Sequence, residues 1–171
     1  ILKRTFLRPR ELLQFVDECI RQAGLQAIEI GKEHIRKAEK IYSTWKVDDL
    51  KQEFSRVSPH FADLLEALRQ ELHRYDSIQE LLDLLEEKAS GATDQLGTRQ
   101  ALELLFDASV VGVRLGGTGS TRFKSEEPEL SLPAAGAVYV HQSLYQGLNI
   151  REARATQTPA EEDESISDAT A

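Results

Sequence analysis

The chain has 171 residues, 40% hydrophobic and 29% charged, which suits one globular domain or two small ones and excludes a fibrous or compositionally disordered chain. A single cysteine, Cys19, excludes an internal disulfide and fits a reducing, cytoplasmic compartment. The net charge of −8 is unevenly spread: residues 1–58 hold 12 Lys and Arg against 9 Asp and Glu, residues 59–150 hold 7 against 14, and residues 151–171 hold 2 against 6.

No apolar run approaches transmembrane length, and no signal peptide is visible, so no membrane partner is expected. The chain contains no methionine and starts Ile1-Leu2-Lys3-Arg4, which reads as a piece of a larger protein cut just upstream of a helix. That helix is predicted over 10–23, with Leu12, Leu13, Val16, Ile20 and Ala23 at helical spacing and Gly24 as its C-cap. Arg8-Pro9-Arg10 stands at its head. Proline suits the first helical turn, and two arginines beside a helix N-terminus suit an anionic group such as phosphate. Cys19 falls on or beside the apolar stripe and reads as a buried structural thiol.

A long helix is predicted over 32–56, through Ile35, Ala38, Ile41, Tyr42, Trp45, Leu50 and Phe54, with Ser43-Thr44 as a point where it can break. Ser58-Pro59 reads as N-cap and first residue of a helix over 59–73. Asp76 or Ser77 caps the next, and Ser77 with Glu80 has capping-box spacing. Ser90-Gly91-Ala92-Thr93 reads as its end, and a further helix is predicted over about 95–108. The period then changes. Val110 to Leu115 reads as a strand, Gly116 to Ser120 as a turn or loop, Thr121 to Lys124 as an antiparallel return, and Ala137 to His141 as a third strand. His141 is expected to pack at the base of this hairpin. Ser143 to Ile150 reads as a closing helical turn, and residues 151–171 as an acidic tail, disordered or borrowed by a partner.

Three helices followed by three strands is the layout of a winged helix. The predicted fold is mainly α with a small β-wing: a helical lid-like subdomain over 1–58, a winged-helix domain over 59–150 and the acidic tail over 151–171. The helix near 95–108 takes the recognition-helix position. It offers Arg99 against Glu103 and Asp107, and its unit is acidic, which disfavours DNA. Arg114, Arg122 and Lys124 on the wing are, with Arg99, the candidates for nucleic acid contact in an alternative reading.

Several segments, in order, resemble a known group. Thr5-Phe6-Leu7-Arg8-Pro9-Arg10-Glu11-Leu12, Ile41-Tyr42-Ser43, Asp49 to Phe54, Leu104 to Gly112, Phe123-Lys124 and Tyr139 to Ile150 are similar to the lid and C-terminal winged helix of bacterial P-loop ATPases related to AAA+ and STAND proteins. Gln142 departs from the group's usual proline after the histidine, and the glycine-rich tip and the 126–136 loop are longer than a minimal wing. The resemblance implies a regulatory module, in antiphage defence or DNA-damage response, whose Arg10, with Arg8 next, senses nucleotide as a sensor 2 arginine. It also implies an upstream ATPase domain carrying ATP and Mg, and a homo-oligomer or protein client as partner.

The chain itself has no P-loop motif, so no catalytic residue and no autonomous ATPase activity are expected, and no cofactor is expected in this fragment. His34, His60, His73 and His141 are scattered and lack metal-ligand spacing, so no metal site is expected.

Overall fold

The computed structural model describes residues 5–6, 8–24, 26–114 and 119–152. The predicted tip at 116–118 and the acidic tail from 153 lie outside the described residues. The fold is mainly helical with one small antiparallel sheet. Its elements are α1 (Pro9–Ala23), α2 (Lys32–Phe54), α3 (Phe61–Ala67), β1 (Arg74–Tyr75), α4 (Ile78–Lys88), α5 (Ser90–Leu96), α6 (Thr98–Asp107), β2 (Val111–Arg114), β3 (Ala137–Val140) and α7 (Tyr145–Leu148), with a 3-10 turn over Gln142–Leu144. Among the described residues no helix is long and apolar enough to cross a membrane.

Helix α1 starts as its sequence dictates: Arg8 is the extended N-cap, Pro9 opens the helix, and Gly24 closes it at φ +83°. Helix α2 is continuous through Ser43-Thr44, the point at which its sequence can break. Both hydroxyls have partners that keep the helix intact. Thr44 Oγ1 donates to the Lys40 carbonyl at 3.0 Å, and Ser43 Oγ accepts the Gly147 N–H at 2.7 Å. Ser43 is buried at the α2–α7 crossing. A Cβ on Gly147 would sit 2.5 Å from the Ser43 carbonyl oxygen and 2.9 Å from Val47 Cγ2, so only glycine lets α7 lie this close to α2.

The predicted helix over 59–73 is shorter. Ser58 Oγ accepts the His60 N–H at 3.2 Å and caps a turn, and the helix proper begins at Phe61 and ends at Ala67. The residues after it form β1, a strand of two residues whose pairing with β3 comes from across the chain. Ser77 caps α4, accepting the Glu80 N–H at 3.2 Å, while the Glu80 carboxylate accepts from the Asp76 N–H instead of closing the box on Ser77. Ser90 to Thr93 do not end the helical region: they begin α5, which buries Ala92 and Thr93. The return segment at 121–124 is no strand. It contributes one bridge, in which Val113 and Arg122 exchange both backbone hydrogen bonds at 2.9 Å.

The sheet order is β1-β3-β2, all antiparallel, with Arg74, Tyr139 and Gly112 in register across it. One core joins this sheet to α3–α7 and to the second half of α2 through Val47 and Leu50. A smaller core between α1 and α2 holds Phe15, Cys19, Ala38 and Tyr42. Helix α2 therefore belongs to both cores, and the predicted boundary at residue 58 falls after an element that the second core already includes. Phe6, ahead of α1, also reaches the larger core. Its ring meets His141 edge-on at 4.5 Å, and His141 meets Phe123 at 4.5 Å.

His141 is buried at the base of the hairpin region, and its Nδ1 accepts the Ser143 N–H at 3.2 Å, capping the 3-10 turn. Burial pushes its pKa down to about 3, with Lys46 adding to the effect and Glu11 opposing it. The folded protein keeps this ring neutral while the unfolded chain takes a proton near the ordinary histidine value. Stability is therefore lost as pH falls from about 6.5 towards 3, by up to ~1.4 kcal/mol per unit. Urea melts of the parent chain and His141→Asn between pH 7 and 4.5 check this, and the variant should show the shallower slope. Gly147→Ala should cost about 1–3 kcal/mol by forcing α7 off α2. Ser43→Ala, which orphans one N–H, should cost about 1 kcal/mol. Both are read as shifts of the denaturation midpoint at constant m-value.

Candidate functional site

The candidate site is the cleft at the head of α1, where it faces the C-terminal half of α2. Its volume is about 760 Å³, and Arg8, Arg10 and Arg56 line it together with Glu11, Asp49, Glu53 and Trp45. The two arginines expected at the helix head are thus both in the cleft, and Arg56, which the sequence did not single out, joins them. Arg8 is half exposed and held by carboxylates, 3.4 Å from Glu53 and 3.9 Å from Glu11. Arg10 is exposed, and among the described residues its guanidinium has no hydrogen-bond or ion-pair partner. The Arg8 pair with Glu53 is exposed and worth at most about 1 kcal/mol, so an anion in the cleft could take Arg8 from it at small cost.

Beneath the arginines lies a buried network. Lys46 Nζ is fully buried and donates to Glu11 Oε1 at 2.7 Å. Glu11 Oε2 accepts the Phe6 N–H at 2.9 Å and the Tyr42 hydroxyl at 3.1 Å. Lys46 also reaches Asp49 at 3.4 Å and lies 4.6 Å from the centre of the Phe6 ring. Burial raises the Glu11 carboxyl, but the hydrogen bond and charge of Lys46, the Phe6 N–H and the Tyr42 hydroxyl outweigh it and leave its pKa below the ordinary value. Burial pushes the Tyr42 hydroxyl up, and the Glu11 carboxylate adds to that, so Tyr42 stays a donor. The network fixes the first turn of α1 against α2, and with it the direction in which Arg8 and Arg10 leave the helix. Sequence reasoning missed it. Its signal was Lys46, a charge one turn beyond Tyr42 on the face that packs against α1.

Each of the four cations of the nucleic-acid alternative is engaged by groups of its own chain. Arg99 pairs with Glu103 at 3.2 Å and donates to the Leu132 and Pro133 carbonyls. Lys124 donates to the Leu130 carbonyl at 2.7 Å, and Arg122 lies 3.5 Å from Glu127. Arg114 stacks on Tyr139 with 4.4 Å between its guanidinium carbon and the ring centre, and donates to Thr121 Oγ1 at 3.3 Å. Arg99 and Lys124 thereby staple the 126–136 loop to α6 and the wing. Among the described residues no group of three or more His, Cys, Asp or Glu could hold a metal ion. Cys19 is free and buried, and burial raises its thiol pKa, which leaves it a poor nucleophile.

Glu11→Gln should destabilise the fold by about 3–5 kcal/mol, because it leaves Lys46 buried without its counter-charge. The double variant Glu11→Leu, Lys46→Met should recover most of that loss, since no charge then remains to be compensated. Because the folded pKa of Glu11 is lowered, its contribution is full above the ordinary carboxylate value and disappears as pH falls through the lowered one. Urea denaturation of the single and double variants at pH 7 and pH 4 measures both effects.

No curated protein and no solved structure matches the chain. The profile of the FunZ-associated C-terminal helical domain matches residues 1–51, which take in α1 and all but the last residues of α2. The match covers under a third of the chain and fits a C-terminal region of a larger protein. The helical hairpin that builds the arginine cleft is similar to that domain.

Proposed function

We propose that this chain is the regulatory C-terminal part of a multidomain P-loop ATPase. In this reading Arg10, seconded by Arg8, meets the terminal phosphates of a nucleotide held by a domain upstream, which also brings ATP and Mg. The observation that carries it is Arg10 itself: an unpaired guanidinium at the N-terminus of a helix, in an open cleft beside two further arginines. An unpaired cation and the positive end of a helix dipole together suit an anion of two or more charges. The buried pair beneath aims that cation without itself touching ligand. The chain lends an arginine to a site and does not build one alone. The profile match to a C-terminal helical domain supports the placement.

The second unit reads as a winged helix. Helix α3, strand β1, helices α4 to α6, then β2 and β3 with a long connection follow that order, and β1 on the outer edge of β3 is consistent with it. Its role in this reading is contact with protein, a neighbouring subunit or a client. The engagement of Arg99, Arg122 and Lys124 with carboxylates and carbonyls of their own chain supports protein contact over duplex DNA.

In the full-length protein, Arg10→Ala should lower ATP turnover by about tenfold or more while the fold and its melting temperature stay unchanged. Arg10→Lys should restore part of the loss, because charge survives and the planar fork does not. Unchanged turnover in Arg10→Ala sinks the sensing role. A salt-dependent gel shift with duplex DNA addresses the alternative, and no shift at low salt is expected.

A further inference from the structure

A second cleft, of about 480 Å³, opens on the outer face of the sheet, away from the Arg10 cleft. Register puts Arg74, Tyr139 and Gly112 in one row across the sheet, with Arg114 two residues beyond Gly112 on the same face. The Gly112 position is covered: a Cβ there would lie 2.7 Å from the Arg122 carbonyl and from the Phe123 ring. Arg114 and Tyr139 stay at the cleft, with His73, Ser120 and Thr121 around them. Arg74 also approaches Tyr139, at 5.8 Å, but is neutralised by Asp76 at 2.5 Å.

Arg114 differs from its neighbours. Arg99, Arg122 and Lys124 each have a carboxylate within 4 Å, and Arg114 has none among the described residues. Its guanidinium is nevertheless held, over the Tyr139 ring at 4.4 Å and donating one N–H to Thr121 Oγ1. Its Nε is shielded from solvent with no acceptor. An oriented, partly buried cation without a counter-ion among the described residues, in a unit of net negative charge, is poised for an anion supplied from outside. The Thr121 hydroxyl accepts from Arg114 and keeps its own proton to donate, and Ser120 supplies a second hydroxyl. Glu126 lines the cleft as well, and its charge disfavours an extended polyanion over a compact anion.

We propose that this cleft is an oxyanion site for a single phosphate group, with Arg114 as its cation and Ser120 and Thr121 as its hydroxyl donors. The proposal does not rest on nucleotide sensing at Arg10. The test titrates inorganic phosphate into the isotope-labelled chain at constant ionic strength and follows the backbone amide resonances of Ser120, Thr121 and Tyr139 at the cleft, which every variant retains. A saturable shift is expected, with affinity reduced by about tenfold or more in Arg114→Gln and retained in Arg122→Gln. Thr121→Val should weaken binding by a smaller factor. A thermal melt verifies that each variant folds, and if Arg114→Gln does not, Arg114→Lys with Thr121→Val carries the comparison. A shift that does not saturate, or equal affinity in the parent and the Arg114 variant, overturns the site. Acetate in place of phosphate separates the two sources of an oxyanion: tighter binding of phosphate supports the assignment, and equal binding of acetate overturns it.

Discussion

The ion pair between Glu11 and Lys46 is the constraint on which the arrangement of the chain depends. Two charges out of water cost several kcal/mol each before their attraction and hydrogen bonds repay it. Here the repayment draws on three donors. Glu11 takes one hydrogen bond from Lys46, one from the Phe6 N–H and one from Tyr42. Each donor comes from a different place: the second half of α2, the segment before α1 and the middle of α2. The carboxylate can be satisfied in only one mutual placement of these three. That is the sense in which a buried polar network selects a single packing even where an apolar core of the same volume would be as stable.

The network also explains why a thin two-helix core suffices for the N-terminal half. Phe15, Cys19, Ala38 and Tyr42 bury little area between α1 and α2. Helix α2 gains its support from its second half, where Val47 and Leu50 enter the larger core and Ser43 is tied to Gly147. Helix α1 gains it from Glu11, and from Phe6, whose ring passes from the Lys46 ammonium to His141. The hairpin is thus fastened at one end, near the cleft. At its far side Leu13, Ile20 and Ile41 remain substantially exposed.

Periodicity made the long elements legible. Leu12, Val16 and Ile20 announce α1, the apolar positions through Leu50 and Phe54 announce α2, and β-branched Val110, Val111, Val138 and Val140 announce β2 and β3. What the sequence concealed was whatever a distant partner decides. Strand β1 is two residues long and exists because Tyr139 and Val138 pair with it. Helix α5 opens on Ser, Gly and Thr around one Ala, three residues of weak helix preference, and forms because Ala92 and Thr93 pack inward. Ser43-Thr44 looked like a break because hydroxyls compete for the backbone; here Ser43 turns to the Gly147 N–H, and Thr44 bonds back to the Lys40 carbonyl without interrupting the helix. At the cleft, Arg8-Pro9-Arg10 was legible because proline and helix position fix it locally. Arg56 was not, since it comes to the cleft from the end of α2, 46 residues on from Arg10.

The two halves of the fold are joined by contacts that start at the cleft floor and end at the wing. Arg8 lies 3.9 Å from Glu11, Glu11 holds Lys46 and the Phe6 N–H, Phe6 packs on His141, and His141 packs on Phe123, which covers Gly112 of β2. Every member from Glu11 to His141 is buried. Such a series has little slack, because a close-packed interior moves as blocks rather than yielding atom by atom. An anion that drew Arg8 away from Glu11 would leave the Lys46 pair intact, since the 2.7 Å contact and the two other donors hold the carboxylate. A change that displaced Glu11 itself would have to be absorbed at Phe6, and then at His141, whose neutral ring caps the turn leading into α7. The physical separation between the two is the first turn of α1: above it the arginines can exchange partners at the cost of an exposed ion pair, and below it nothing moves without opening the core that both halves share.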